Sequence, residues 1–165
     1  MNMRGPCVFG TAGKMRGGGE RKGLNEVVTL FQRAFPKEQD VRLRVKGFPD
    51  CGIVPVDDPR VDILADYISE KDLARWYASL TCFVSVSRSE GWGLMPHQAM
   101  AVGRPCIAVK FGGHAEFLHE SSAYCANFKL VPAGYNYSDG GVWAEPDSEH
   151  IVEVGYPFDA NYHKA

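Results

Sequence analysis

The chain has 165 residues, a net charge of −2, 45 % hydrophobic and 23 % charged residues, which is the profile of one globular domain with enough apolar material for a core. The near-neutral charge argues against nucleic-acid binding, and no apolar run reaches the roughly 18 residues of a membrane span. MNMRGPCVFG at the start carries no apolar signal region, so the expectation is a cytoplasmic protein without a transmembrane segment.

In chain order, Val8 to Thr11 reads as a strand. The stretch from Gly13 to Gly23 is glycine-rich and basic, with Lys14, Arg16, Arg21 and Lys22; by itself it is either a solvated surface loop or an anion clamp. Leu24, Val27, Val28, Phe31, Ala34 and Phe35 recur at helical spacing and predict a helix from Leu24 to Phe35. Val41, Leu43 and Val45 alternate with Arg42, Arg44 and Lys46, the two-residue period of a strand with one polar face. A solvated edge strand guarded by charge is preferred there to a phosphate patch. Residues 47–60 are rich in proline and glycine and read as loop, and Val61 to Asp66 as a strand. Ser69 followed by Asp72 starts a helix as a variant capping box, with Leu73, Trp76, Tyr77 and Leu80 on one face and Trp76 and Tyr77 in the core.

The most informative segment is residues 81–118. Cys82, Phe83, Val84 and Val86 form a short apolar strand; Gly91 and Gly93 flank Trp92; Pro96 opens a helix and Gly103 stops it; Arg104-Pro105 leads into a strand from Cys106 to Val109. Two glycines this close allow positive φ and let a ligand approach the backbone. The helix N-terminus near Leu94 and Met95 offers unpaired N–H groups to an anion, and Trp92, held between glycines, is placed beside a ligand. Glycine turns of this kind also occur with no ligand at all. The dinucleotide fingerprint fails because Pro96 stands where glycine or alanine is needed, and Gly13-Lys14 is followed by Met15, so there is no phosphate-binding P-loop.

Farther on, residues 121–141 lose their pattern, with a short strand from Ala123 to Phe128 and Tyr135 to Tyr137 in a long loop. Asp147 is an N-cap for a last helix, after which residues 156–165 read as a tail to a domain of residues 1–155. Five cysteines make no C-x-x-C pair and no zinc pattern; Cys82 and Cys106 read as core, and the odd count fits a reducing compartment. The histidines are scattered, and no metal site is expected. His114, at a turn into a helix, either lines the cleft or is an ordinary surface or helix-start histidine.

Taken whole, S-x-S-E-G-W-G-L, A-M-A-x-G-x-P-x-I-A and G-G-x-x-E-F resemble the donor-binding C-terminal half of GT-B fold glycosyltransferases. The likeness is strongest to the large retaining group that includes sucrose- and mannosyl-transferring enzymes, and it spans about Phe9 to Val154. It implies an α/β fold: a single Rossmann-like domain, three-layer α/β/α, with a mostly parallel sheet. It also implies a set of site residues. The family carries two signature glutamates; Glu90 matches the first, which faces the donor sugar, and the second, which holds the ribose, falls on Gln98. A glutamine keeps one acceptor oxygen but adds an NH₂ group, a departure from the pattern. Gly13-Lys14 and Lys22-Gly23 match the two cationic motifs that clamp the donor diphosphate, with lysine for arginine at Lys14. Gly91, Trp92, Gly93, Leu94 and Met95 form the turn against the phosphates, and residues 47–60 with the turn after the next strand frame the base.

The resemblance thus implies a nucleotide-diphosphate sugar as donor substrate, with no other cofactor. A full GT-B enzyme has a second Rossmann-like domain that binds the acceptor, so the expectation is a separate acceptor-binding domain or chain as partner. An exposed cleft wall also favours a homo-oligomer. A non-catalytic nucleotide-sugar-binding module, or an inactive remnant, is the alternative that Gln98 keeps open.

Overall fold

The computed structural model of the chain describes residues 5–14, 19–49, 52–133 and 140–161. Six parallel strands form one sheet in the order β3-β2-β1-β4-β5-β6: β1 (Cys7–Ala12), β2 (Val41–Gly47), β3 (Val61–Ala65), β4 (Cys82–Ser85), β5 (Cys106–Val109) and β6 (Ala123–Ala126). Parallel pairing requires crossovers, and α2 (Leu24–Ala34), α3 (Glu70–Ala78) and α4 (Leu94–Ala101) supply them. A four-residue helix, α1 (Gly19–Lys22), sits inside the basic loop. After β6 come an antiparallel hairpin, β7 (Phe128–Pro132) with β8 (Val142–Pro146), and α5 (Ser148–Asn161). The architecture is the three-layer α/β/α sandwich expected.

Strand alternation divides the core in two. Phe9, Cys82, Val84, Ile107 and Val109 point to the side of α2 and α5, where they meet Val27, Phe31, Phe35 and Ile151. Their neighbours Val8, Phe83, Cys106 and Ala108 point to the side of α3 and α4, onto Tyr77, Leu80, Ala99 and Leu118. Near-continuous apolar strands follow from this burial on both faces. Cys82 and Cys106 are core, as expected, and burial raises both thiols, Cys106 to about 12.

Three expectations change. The strand of alternating cations is not at an edge: β2 lies between β1 and β3, Arg44 bonds Ser79 Oγ at 2.6 Å, and Lys46 is buried. The true edges are β3 and β6. Residues expected as a short strand and loose text form β6 and the β7–β8 hairpin, because Val131↔Trp143 and Leu130↔Ala144 pair across a connection whose residues 134–139, including Tyr135 to Tyr137, lie outside the described residues. The last helix does start after Asp147, whose Oδ1 accepts from the amides of Glu149 and His150 at 3.1 and 3.2 Å. It then continues to Asn161, past the expected start of the tail.

One side chain ties these parts to the end of β4. Arg88 donates from Nε and a terminal nitrogen to the two oxygens of Glu145 on β8, both at 2.7 Å, and pairs with Glu26 of α2 at 3.0 Å. Its amide bonds the Arg21 carbonyl at 2.8 Å and its carbonyl accepts from Ala144 at 2.9 Å. Replacing Arg88 by methionine strands two partly buried carboxylates. The expected cost is about 2 kcal/mol, less than for a fully buried pair because Glu145 keeps a third of its side chain in water. Urea unfolding of the Arg88→Met variant should show a lower midpoint at unchanged m.

Candidate functional site

Strand order reverses between β1 and β4, so the loops leaving their C-terminal ends diverge and leave a crevice. Gly13 follows β1, and residues 86–93 follow β4. Gly23 brings the two together. It caps α2 at φ 65, where a Cβ would run into the Val86 side chain and lie 3.2 Å from a Glu26 oxygen, so only glycine lets the start of α2 lie on the end of β4. Lys22, one residue earlier, is carried to Glu90.

Lys22 Nζ and Glu90 Oε1 form an ion pair, with both side chains mostly shielded at 16 % and 13 % exposure. Ser87 Oγ donates to the same carboxylate oxygen at 2.7 Å. Arg21 donates to the Ser89 carbonyl and stands 3.6 Å from Glu90 Oε2. Burial works to raise the Glu90 pKa, but the bonds from Lys22 and Ser87 and the charges of Lys22 and Arg21 outweigh it, leaving the carboxyl below the ordinary glutamate value and ionised at neutral pH.

The turn beyond Glu90 is pressed against the loop after β5. Gly113 donates its amide to the Glu90 carbonyl at 2.8 Å. A Cβ on Gly112, which has φ 62, would come within 2.7 Å of that carbonyl, and one on Gly113 would enter the backbone of Gly91 and Trp92. Gly93 takes φ 90 as the N-cap of α4 and offers no side-chain cap, so the first N–H groups of α4 keep their positive end uncovered. Gly91 does not use positive φ; its α-carbon faces open space. Trp92 and Leu94 flank the turn at 45 % and 60 % exposure, Trp92 resting on His97 and Phe117 at ring separations of 5.8 and 5.6 Å.

His114 lies behind this turn rather than on its surface. It is 1 % exposed, and a Cβ on Gly93 would fall inside the imidazole. Nδ1 is 2.9 Å from the Val109 carbonyl, which can only accept, so Nδ1 carries the proton; Nε2 is buried with no hydrogen-bond partner among the described residues. Burial holds the His114 pKa below its ordinary value, against the opposing pull of the Val109 carbonyl and Glu90.

A hollow of about 80 Å³ opens beside the turn, at the C-terminal ends of β1, β2 and β3, lined by Gly13, Lys46, Phe48, Tyr67, Ile68 and Met95. Phe48 and Tyr67 meet edge to face at 5.6 Å. Lys46 donates to the carbonyls of Gly47 and Asp66 and lies 4.6 Å from the Phe48 ring centroid. Lys14 is exposed on the same rim, 5.9 Å from that ring. Gln98, on α4 below Met95, accepts from the buried Tyr77 hydroxyl at 3.2 Å. A second cavity, of about 30 Å³, lies under α2 and α5 with apolar walls that include Phe9, Phe31, Leu43 and Ile107, and holds no group that could do chemistry.

Of the residues singled out in the sequence, Lys22, Glu90 and Gly91 to Met95 therefore converge, Gly13 and Lys14 border the hollow, Gln98 sits on α4 against Tyr77, and His114 supports the turn from behind. Ser87 escaped notice, and Arg21, Lys46 and Tyr77 were noted without a role in the site. Arg21 and Ser87 had a signal, since each is within three residues of a member of the ion pair; Lys46 and Tyr77 were read for strand and helix pattern alone.

The sequence model of the family described as Glycosyl transferases group 1 matches residues 6–134. The chain is 28 % identical over 123 residues to the lipopolysaccharide core biosynthesis mannosyltransferase LpcC of Rhizobium leguminosarum bv. viciae, covering 69 % of this chain and 34 % of that protein. It is 44 % identical over 85 residues to the mannosyltransferase LpsB of Rhizobium meliloti (strain 1021), covering 52 % and 21 %. The chain thus spans about a third or less of these curated relatives. Among solved structures, the C-terminal domain of a glycosyl transferase group 1 family protein (LpcC) from Francisella tularensis superposes with a TM-score of 0.62 at 21 % identity, covering 96 % of this chain and 83 % of that one. The pneumococcal O-GlcNAc transferase GtfA, solved with UDP and GlcNAc, superposes at 0.60 and 17 % identity, covering 96 % and 28 %.

The buried histidine gives a pH signature. Below the ordinary histidine value of 6.5 the unfolded chain takes up a proton that folded His114 refuses, so this contribution to stability is present above that value and is lost as pH falls toward the lower folded pKa. The stability gap between the wild type and His114→Gln should shrink as pH drops from 7.5 to 5.5 in denaturant titrations. A gap that stays constant would mean that His114 titrates alike in both states.

Proposed function

The chain belongs to the group 1 glycosyl transferases, and from that premise we propose that it binds a nucleoside-diphosphate sugar as the donor half of a retaining glycosyltransferase. The observation that carries this reading is the Lys22–Glu90 ion pair at the uncovered N-terminus of α4. Two lysines and a helix amino end suit a diphosphate, and a carboxylate suits sugar hydroxyls, through charge-assisted bonds in each case.

In this reading the diphosphate lies over Gly91 to Met95, where the amides of Gly93, Leu94 and Met95 and the charges of Lys22 and Lys14 meet it. Charge grows on the leaving diphosphate as the sugar departs, so fixed cations there stabilise the transition state more than the bound donor. Glu90 holds the sugar, which requires Lys22 to exchange its carboxylate partner for phosphate oxygens. Gln98 stands beside the ribose, and the base enters the hollow against Phe48 and Tyr67. His114 acts by holding Gly93 in place. The acceptor comes to the open side of Trp92 and Leu94, on a separate domain or chain or on a second copy of this one. The alternative of a non-catalytic nucleotide-sugar-binding module is favoured by Gln98 alone.

Calorimetry separates the outcomes. UDP or GDP, or their sugars, should bind the full chain, and Lys22→Ala and Glu90→Ala should each weaken the sugar nucleotide about tenfold or more, the scale of one charge-assisted bond. No heat with any nucleotide would remove both readings. Sugar transfer that requires an added acceptor-binding partner supports a split enzyme; binding with no transfer under any pairing supports the non-catalytic module.

A further inference from the structure

Of the two edges of the sheet, β3 is the barer. Asp62, Ile63, Leu64 and Ala65 are all exposed, whereas β6 buries both of its end residues, Ala123 and Ala126. Among the described residues the crossover from β2 to β3 contains no helix. Ile53 and Val56 of that loop pack on the core, and Ile63 stays open on one face of the strand and Leu64 on the other. Edge strands are ordinarily guarded by lysine, proline or a bulge. β3 has none of these, and Asp62 is its single charge.

The ladder fixes which backbone groups face outward. Leu43 donates its amide to the Arg60 carbonyl at 2.9 Å and stands in register with Val61. Successive residues of a strand turn their N–H and C=O groups alternately to one neighbour and to the other side. Asp62 and Leu64 therefore bond β2, and Ile63 and Ala65 present their groups to the open side. The Val61 amide also lies on that side, but it is already used on the Asp58 carbonyl at 3.0 Å.

We propose that this edge pairs with the same edge of a second copy of the chain, antiparallel about a two-fold axis at Ile63, so that two six-stranded sheets become one. A two-fold contact requires a strand complementary to itself, and outward-facing residues must meet outward-facing residues. With the axis at Ile63, the Ile63 amide of each copy meets the Ile63 carbonyl of the other, and each Ala65 amide meets a Val61 carbonyl. The Val61 amide, already committed, is the group this pairing can do without. Charge selects the same register. Asp62 stands opposite Leu64, and the Ile63 side chains meet on the face of the sheet that carries α2. Moving the axis one residue back sets Asp62 against Asp62, and one residue forward sets Asp62 against Asp66, both opposed like charges. The axis at Ile63 avoids both. Strands β2 and β1 separate this edge from the crevice, so the inference stands apart from the donor-nucleotide reading.

Sedimentation equilibrium of the full chain, diluted from about 1 mM to about 10 μM, tests this. The mass should fall from that of two chains toward that of one, 18.2 kDa, because a contact confined to one strand edge belongs to the weak, reversible class. Ile63→Lys, which sets two cations face to face across the axis, should weaken the dimer about tenfold or more. Ile63→Pro should abolish pairing with the far-UV circular dichroism unchanged, because the amide it removes faces away from β2. If that variant does not fold, Ile63→Lys carries the test. Tyr124→Lys, on β6 at the other edge, should leave association as it is. A single-chain mass at every concentration overturns the inference. So does a mass beyond two chains, since a two-fold contact closes on itself. A dimer that survives the Ile63 substitutions, or is lost with Tyr124→Lys, puts the contact elsewhere and overturns it as well.

Discussion

A lysine and a glutamate can both leave water only if each finds the other, and the free-energy cost of losing one partner is much larger than the net gain of having both. Lys22 and Glu90 are in that position, at the meeting of two chain segments far apart in sequence. Each segment is built to reach the other. On one side, Gly23 lets α2 begin in contact with Val86; on the other, Ser87 fixes the carboxylate from within its own loop. Arg21 closes the junction twice, with its side chain on the Ser89 carbonyl and its own carbonyl accepting from Arg88. The pair contributes little to stability by itself, but it dictates where the two loops lie, and so where cation, acid and helix terminus stand relative to one another.

The glycines around it act through contact as much as through conformational freedom. Gly113 has no positive φ, yet a single added carbon would collide with the backbone of Gly91 and Trp92. The loop after β5 lies flat on the loop after β4, and the Gly113–Glu90 hydrogen bond joins them. His114 continues the same packing behind Gly93. The turn after Glu90 is thus held from behind by backbone and one neutral ring. Its front, with Gly91 facing open space and no side chain capping α4, stays uncovered.

Much of this was legible in the sequence, for identifiable reasons. Cys82 to Val86, Gly93, Gly103 and Cys106 to Val109 are governed by local rules, and the strand, turn, helix and strand follow from them. So does the cap at Ser69, whose Oγ accepts from Asp72 at 3.1 Å. The strand of alternating cations failed because period two reports a polar face and says nothing of position in the sheet. Arg44 finds Ser79, 35 residues away, and Lys46 finds the carbonyls of its neighbour Gly47 and of Asp66, 20 residues away. The β7–β8 hairpin was missed because its pairs, such as Leu130↔Ala144, close over a long connection in which Asp139-Gly140 was not read as a turn. Proximity of Lys22 to Glu90 was reached through family resemblance; no periodicity could have supplied a contact across 68 residues.

The electrostatics of the crevice also say what kind of surroundings it needs. A cation or an acid acts on a transferring group most strongly where water is excluded and the effective dielectric is low. Here the protein shields Lys22 and Glu90 on the inner side, while Trp92, Leu94 and Tyr67 leave the outer side to solvent. In that condition the diphosphate of the proposed donor would meet the same charges through a screened attraction, weaker than in a site from which water is excluded. A second wall laid over Trp92 and Leu94 would remove that water, cover their apolar surface and strengthen every charge beneath. In the proposed reading, binding and turnover are therefore separable: the first depends on the cations, acid and helix terminus gathered here, the second on how far water is excluded above Trp92 and Leu94.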